Sequence, residues 1–245
     1  MKIAIVGYGR MGELVEKYTK ERGHEIAIII DPKKGTKKED LLTIDFDAIV
    51  EFSLPEIALE NMKFYAKNDM KVIMATTGWY NHIEEIKSLF NNSKGALLWS
   101  GNFSLGVHIF WKIIEQASKI INKFDNYDVF GHEFHHNKKA DSPSGTAINT
   151  AHIILENVER KKTLITEELS DRAIKPEELH FSSTRGGNIP GIHSVYFDSP
   201  FDTIKIEHSA RSRDGFALGS VICAEWIQDK NGYFEIGDFM KYLDV

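Results

Sequence analysis

Between positions 132 and 147 the chain reads HEFHHNKKADSPSGTA. His132, His135 and His136 stand beside Lys138 and Lys139, and both residue types exchange protons near neutral pH once their surroundings tune them. The segment then meets a helix-start signal, with Asp141 or Ser142 as the expected N-cap and Pro143 in the first turn. Ala147, Ala151, Ile154, Leu155 and Val158 follow at the spacing of one apolar helix face. Gly145 and Thr146 therefore fall in the first turn, where free backbone N–H groups and the positive end of the helix dipole attract a carboxylate. Cationic and proton-carrying side chains next to an anion-binding helix start suit a small acidic molecule that has to be protonated. A metal centre suits them less, because no cysteine is near and the lysines would repel a cation, so no metal is expected. The plainer alternative is a polar loop whose histidines only form hydrogen bonds.

A second group of residues lies at the amino terminus. GYGRMG, comprising Gly7, Tyr8, Gly9, Arg10, Met11 and Gly12, directly follows the apolar run KIAIV and precedes a helical pattern. In that context the first glycine permits a tight turn, the second lets backbone approach a pyrophosphate, and the third lets helix pack on strand. Asp31 closes the next apolar run, EIAIIID, about 20 residues on, where an acid takes the adenosine ribose hydroxyls. A carboxylate there favours NADH, and the following Lys33 and Lys34 leave NADPH tolerated by neutralising a 2′-phosphate. Two further strand ends, ATTGW from Ala75 through Thr76 and Thr77, and SGNFS from Ser100 through Gly101, Asn102 and Phe103, offer small and polar loops of the kind that contact ligands in open α/β sheets.

Such sites need elements to hold them. The first hundred residues alternate short β-branched runs with helical patterns, which predicts a Rossmann-like, doubly wound parallel sheet. From about Ser104 the pattern changes: a helix over GVHIFWKIIEQASKIIN, a strand YDVFGHEFH, a helix SGTAINTAHIILENV, then a β-rich stretch read through GIHSVYFDSP, FDTIKIEHSA and GFALGSVICAEWI. This predicts an α+β domain with a mixed sheet.

Composition narrows the partners. The 245 residues are 42% apolar and 27% charged with a formal charge of −6, an ordinary globular balance that offers no basic face for nucleic acid. No apolar stretch approaches the roughly 20 residues of a membrane helix, and the amino terminus reads as a strand and not a leader, so no membrane partner is expected. The lone Cys223 reads as a small buried hydrophobe, and the expected compartment is the cytoplasm.

Taken together, GYGRMG, ATTGW, GNFSLGV, HEFHHNKKADSPSGTA and RGGNIPGIH resemble the 4-hydroxy-tetrahydrodipicolinate reductase family, also called dihydrodipicolinate reductase, over nearly the whole chain. The resemblance implies an NAD(P)H-dependent oxidoreductase of the diaminopimelate route to lysine. It implies a dinucleotide-binding domain over 1–103, a substrate-binding and tetramerisation domain over 104–212, a return of 213–245 to the first domain, and a homotetramer. It places the acid/base pair on His135 and Lys139, and substrate contacts on His136, Gly145 and Thr146. Cofactor contacts fall on residues 7 to 12, Asp31, Ala75 to Thr77 and Ser100 to Phe103. The substrate is a small cyclic dicarboxylate. Departures are a shorter glycine loop than the family's and Ala75 where glycine is usual, and both touch cofactor preference more than chemistry. Two rivals stand beside this reading: another NAD(P)-dependent dehydrogenase of amino-acid metabolism, and a dinucleotide sensor without catalysis.

Overall fold

A computed structural model describes residues 1–243. It opens with β1 (Lys2–Val6), α1 (Arg10–Glu21), β2 (Glu25–Ile30), β3 (Ala48–Glu51), α2 (Pro55–Lys67), β4 (Lys71–Met74), α3 (Ile83–Asn91) and β5 (Ala96–Trp99). Next come α4 (Leu105–Ile121), β6 (Asp128–His135), α5 (Gly145–Asn157), β7 (Thr163–Ile165), β8 (Glu178–Arg185), β9 (Ile192–Asp198) and β10 (Thr203–Ser209). The chain ends with α6 (Asp214–Trp226), β11 (Gly232–Glu235) and α7 (Ile236–Tyr242). Residues Met1–Leu105 together with those from Arg213 onward form one compact unit, and Gly106–Ser212 form the other.

The first unit holds a six-stranded sheet in the order β11-β5-β4-β3-β1-β2, parallel at every pairing. Its strands are covered on both faces, which is why they read as unbroken apolar runs. Along β1, Ile3 and Ile5 join a core with Val15 of α1 and Val221 of α6, while Ala4 and Val6 join another with Ala58 and Met62 of α2 and Ile86 of α3. β1 lies between β2 and β3, so the order reverses there and opens a crevice beyond the carboxyl ends of these strands. β11 pairs with β5, so the last part of the chain completes the sheet that the first part began.

The second unit has a five-stranded mixed sheet, β10-β9-β6-β8-β7. β6 runs antiparallel to β9 and parallel to β8. Alternation along β6 sends Val129, Gly131, Glu133 and His135 to the covered face, where Phe110 and Ile114 of α4 and Ala151 and Ile154 of α5 pack on the sheet. At Gly131 any side chain would stand 2.3 Å from the Phe181 ring.

Two expectations are corrected. GFALGSVICAEWI is the helix α6 and not a strand. Ala217, Gly219, Ser220, Val221, Cys223 and Ala224 are all buried, so no polar face marks the helical period, and a continuous apolar run suits either element. Gly219 lets α6 approach closely, since a Cβ there would lie 1.9 Å from the Phe103 carbonyl oxygen. The N-cap of α5 is Ser144, with Pro143 outside the helix, because the Ser144 hydroxyl rather than that of Ser142 accepts from the Ala147 amide at 3.2 Å. Gly145 and Thr146 remain the first two helical residues.

Candidate active site

The glycine turn of the first unit has the shape its sequence requires. Gly7 adopts φ +85°, and a Cβ there would meet the Phe52 carbonyl oxygen at 2.4 Å. A Cβ on Gly12 would stand 2.3 Å from the Gly7 oxygen, whereas one on Gly9 would meet nothing within 4 Å. The outer two glycines thus serve the fold, and the middle one leaves open backbone at the start of α1, where a pyrophosphate fits. Asp31 closes β2 with its Oδ2 accepting from the Tyr8 amide at 2.9 Å and its Oδ1 from the Lys33 amide at 2.8 Å. These backbone hydrogen bonds, Tyr8 first, hold its carboxyl below the usual carboxylate range. Lys34 lies over the Tyr8 ring with Nζ 4.4 Å from its centroid.

The other residues expected at the cofactor divide in two. Ala75 and Thr77 line the loop beyond β4, where the Trp79 indole donates to the Thr76 carbonyl at 2.8 Å. Beyond β5 the Ser100 hydroxyl donates to the Asn102 carbonyl at 2.7 Å, next to exposed Gly101. Phe103, by contrast, is buried in the apolar core, and Met11, like Ala75 and Tyr8, is partly buried against it. Burial likewise raises the pKa of the Cys223 thiol and removes it from chemistry.

In the second unit the carboxyl ends of β6 and β8 meet the start of α5. Strand pairing sets His135 beside Arg185 and Glu133 beside His193. Glu133 is fully buried. Its Oε1 accepts from the Ser144 amide at 2.9 Å, the Ser183 hydroxyl at 2.8 Å and Arg185 Nη2 at 2.9 Å, and its Oε2 accepts from the Ser144 hydroxyl. Burial pushes this carboxyl up, but hydrogen bonds from His193, Ser144 and Arg185 outweigh it and hold the group ionised, well below the usual range. Arg185 also donates to the Asp141 carbonyl at 2.6 Å, which ties the loop before α5 to the sheet.

His135 is 7% exposed. Burial, opposed by Glu133 and reinforced by His193, Lys139 and Arg185, pushes its pKa down to about 4, so it is neutral at pH 7. That corrects the expectation of a cation at this position. His136 and Lys139 are half-buried, and the Lys139 ammonium pairs with Asp141 at 2.7 Å. No hydrogen bond to the Gly145 or Thr146 amide is formed among the described residues, so both donors are available to an anion. Glu133, His135 and His193 offer ligand atoms within 4.8 Å of one another. A dication there would lie against the Arg185 guanidinium already bound to the same carboxylate, which disfavours a metal at this cluster.

Sequence reasoning gave no role to Glu133, Ser144, Arg185 or His193. A signal existed for Glu133: two residues before His135 on a strand, it shares the buried face, and a buried acid needs partners.

The chain matches the family model "Dihydrodipicolinate reductase, N-terminus" over residues 1–103 and "Dihydrodipicolinate reductase, C-terminus" over residues 106–240. The chain belongs to the dihydrodipicolinate reductase family. A relative from Christiangramia forsetii, 4-hydroxy-tetrahydrodipicolinate reductase, is 35% identical over 243 residues, covering 99% of both chains. One of the same name from Archaeoglobus fulgidus is 34% identical, covering 98% of this chain and 100% of its own. In fold, the chain is similar to a dipicolinate-bound dihydrodipicolinate reductase from a Paenisporosarcina species, with a TM-score of 0.78, 19% identity, and coverage of 96% and 97%. Membership in the reductase family brings a nicotinamide dinucleotide cofactor, which the geometry at Gly7, Gly9, Gly12 and Asp31 fits. Among the described residues no helix is long and apolar enough to cross a membrane.

Proposed function

We propose that the chain reduces 4-hydroxy-tetrahydrodipicolinate to tetrahydrodipicolinate with loss of water, in the diaminopimelate route to lysine. The observation that carries this reading is the convergence of His135, Lys139 and the unpaired first-turn amides of α5 in a chain that matches the reductase family over its length. A ring carboxylate sits on the Gly145 and Thr146 amides, with His136 beside it. Loss of the 4-hydroxyl as water leaves a conjugated imine. The reduced nicotinamide supplies, when bound, the hydride that goes to ring carbon 4. Lys139 protonates the adjacent carbon of the resulting enamine, because an ammonium is a far stronger acid than the N–H of a neutral imidazole such as His135. His135 relays protons to and from the ring. Oxidation of NADH or NADPH that begins only when freshly generated substrate is added tests the reading. Cofactor binding without turnover would support a dinucleotide sensor instead.

For the cofactor, Asp31 supports NADH as slightly favoured, with NADPH tolerated through Lys33 and Lys34. Asp31→Ala is expected to weaken NADH more than NADPH, by roughly fivefold in the ratio of their KM values, since about 1 kcal/mol of charge interaction is at stake. Both cofactors share the damage to the Tyr8 turn, so the ratio is the readout. Equal losses would assign the ribose to another residue.

The open face of the second sheet supports a homotetramer. Phe130 and Phe134 are 37% and 36% exposed, with Phe130 stacked on Tyr196 at 4.9 Å. An apolar sheet face of this kind calls for a partner, here further copies of the chain. Sedimentation equilibrium is expected to give the mass of four chains; a monomer would overturn this. The expected compartment is the cytoplasm, which the single buried Cys223 suits.

A further inference from the structure

His135 Nδ1 is sealed from solvent and makes no hydrogen bond, yet it lies 3.3 Å from Oε2 of the buried Glu133. On its other side, Nε2 adjoins Gly191, where any side chain would stand 2.9 Å away. Glycine at that position is what leaves Nε2 uncovered. Glu133 Oε2 also faces His193 Nε2 at 3.3 Å, and His193 in turn lies 3.1 Å from the Ser144 hydroxyl. The carboxylate therefore stands between the histidine on β6 and the serine that caps α5, and Arg185 on β8 balances its charge.

We propose that Glu133 is a positioning residue that fixes neutral His135 as the Nδ1–H tautomer, so that Nε2 alone exchanges protons with the substrate. A carboxylate has no hydrogen to offer, so the imidazole nitrogen facing it must be the one that carries hydrogen. A small rotation of the ring turns the 3.3 Å approach into a hydrogen bond, and nothing else competes for Nδ1. When Nε2 takes a proton from the substrate, the imidazolium keeps its Nδ1–H on Glu133, and the carboxylate balances the new charge. The proton returns from Nε2 by the same path. Through its bonds to the Ser144 amide and hydroxyl, the same carboxylate also fixes the cap of the helix whose next two amides hold the substrate. One residue thus sets both the proton relay and the anion site. The groups facing His135 besides Glu133 are His193, Lys139 and Arg185, all of which act against its protonation.

This inference rests on the role given to His135 above, but its test does not depend on turnover. Long-range nitrogen–proton correlation spectra of the full-length wild-type protein, with His135 assigned by its His135→Gln variant, report the tautomer directly. The expected result is Nδ1–H at His135, the less common form of free histidine. A His135 found as Nε2–H overturns the proposal even if the enzyme turns over. Glu133→Gln places an amide where the carboxylate oxygen stood; the His135 pKa should fall and kcat should drop roughly tenfold or more, with NADH affinity unchanged. A folded Glu133→Gln protein with wild-type kcat and an unshifted His135 titration also overturns it. Absence of turnover in the wild type, with the tautomer as expected, would instead remove the proposed reaction and leave the Glu133–His135 arrangement standing.

Discussion

Replacing Lys139 by alanine is expected to lower kcat roughly 10²-fold or more while NADH binding stays nearly unchanged, the pattern for loss of a general acid. Its ammonium pairs with Asp141 in the loop before α5, and it belongs to a different compact unit from the glycine turn. With His135 held neutral by burial, the lysine ammonium is the stronger acid of the two. Steady-state kinetics and a fluorescence titration with NADH separate the two effects. Combined with His135→Ala, the losses should be less than additive, because both residues serve one proton transfer. Normal kcat with weakened NADH binding would overturn the assignment.

Gly145→Val should raise KM for substrate and the inhibition constant of pyridine-2,6-dicarboxylate together. A Cβ at Gly145 meets nothing within 4 Å, so the branched side chain enters open space over the first turn without straining the protein. It would crowd a carboxylate seated on the Gly145 and Thr146 amides. Hydrogen bonds to a charged group contribute about 1.5–3 kcal/mol, which is roughly a 10- to 100-fold change in both constants. Thermal stability should stay close to wild type, and inhibition that survives in a stable Gly145→Val protein would move the carboxylate elsewhere.

What was legible in the sequence follows from how local each signal is. The glycines of the turn are legible by their spacing between strand and helix, although the steric demand at Gly7 comes from Phe52 and Ser53 beyond β3 and only that at Gly12 from the turn itself. Asp31 was found by its distance along the chain, and its bond to the Tyr8 amide explains why that distance matters. The start of α5 is legible to within a few residues, but the cap falls on Ser144 and not on Asp141 or Ser142, and a tertiary contact holds it there, the two hydrogen bonds of Ser144 to Glu133. That contact spans β6 and α5 and leaves no mark in local sequence. Arg185 and His193 come from β8 and β9, fifty or so positions beyond β6, and only sheet register brings them to Glu133. The charge of His135 was misread for a related reason. A histidine among lysines reads as a cation, but burial between β9 and the Gly191 loop decides its protonation. Helix α6 was misread because both of its faces are covered, and a helix without a polar side has no period to detect.

The central claim is that this chain delivers a cofactor hydride to carbon 4 of a cyclic hydroxy-dicarboxylate. The most direct measurement uses NADH carrying deuterium at the transferable position of its nicotinamide, mixed with the protein and freshly generated 4-hydroxy-tetrahydrodipicolinate, with the product examined by mass spectrometry and NMR. The expected product is tetrahydrodipicolinate with deuterium at ring carbon 4, formed in step with NADH oxidation and suppressed by pyridine-2,6-dicarboxylate. NADH that stays reduced in the presence of fresh substrate, or a product without deuterium at that carbon, would contradict the claim.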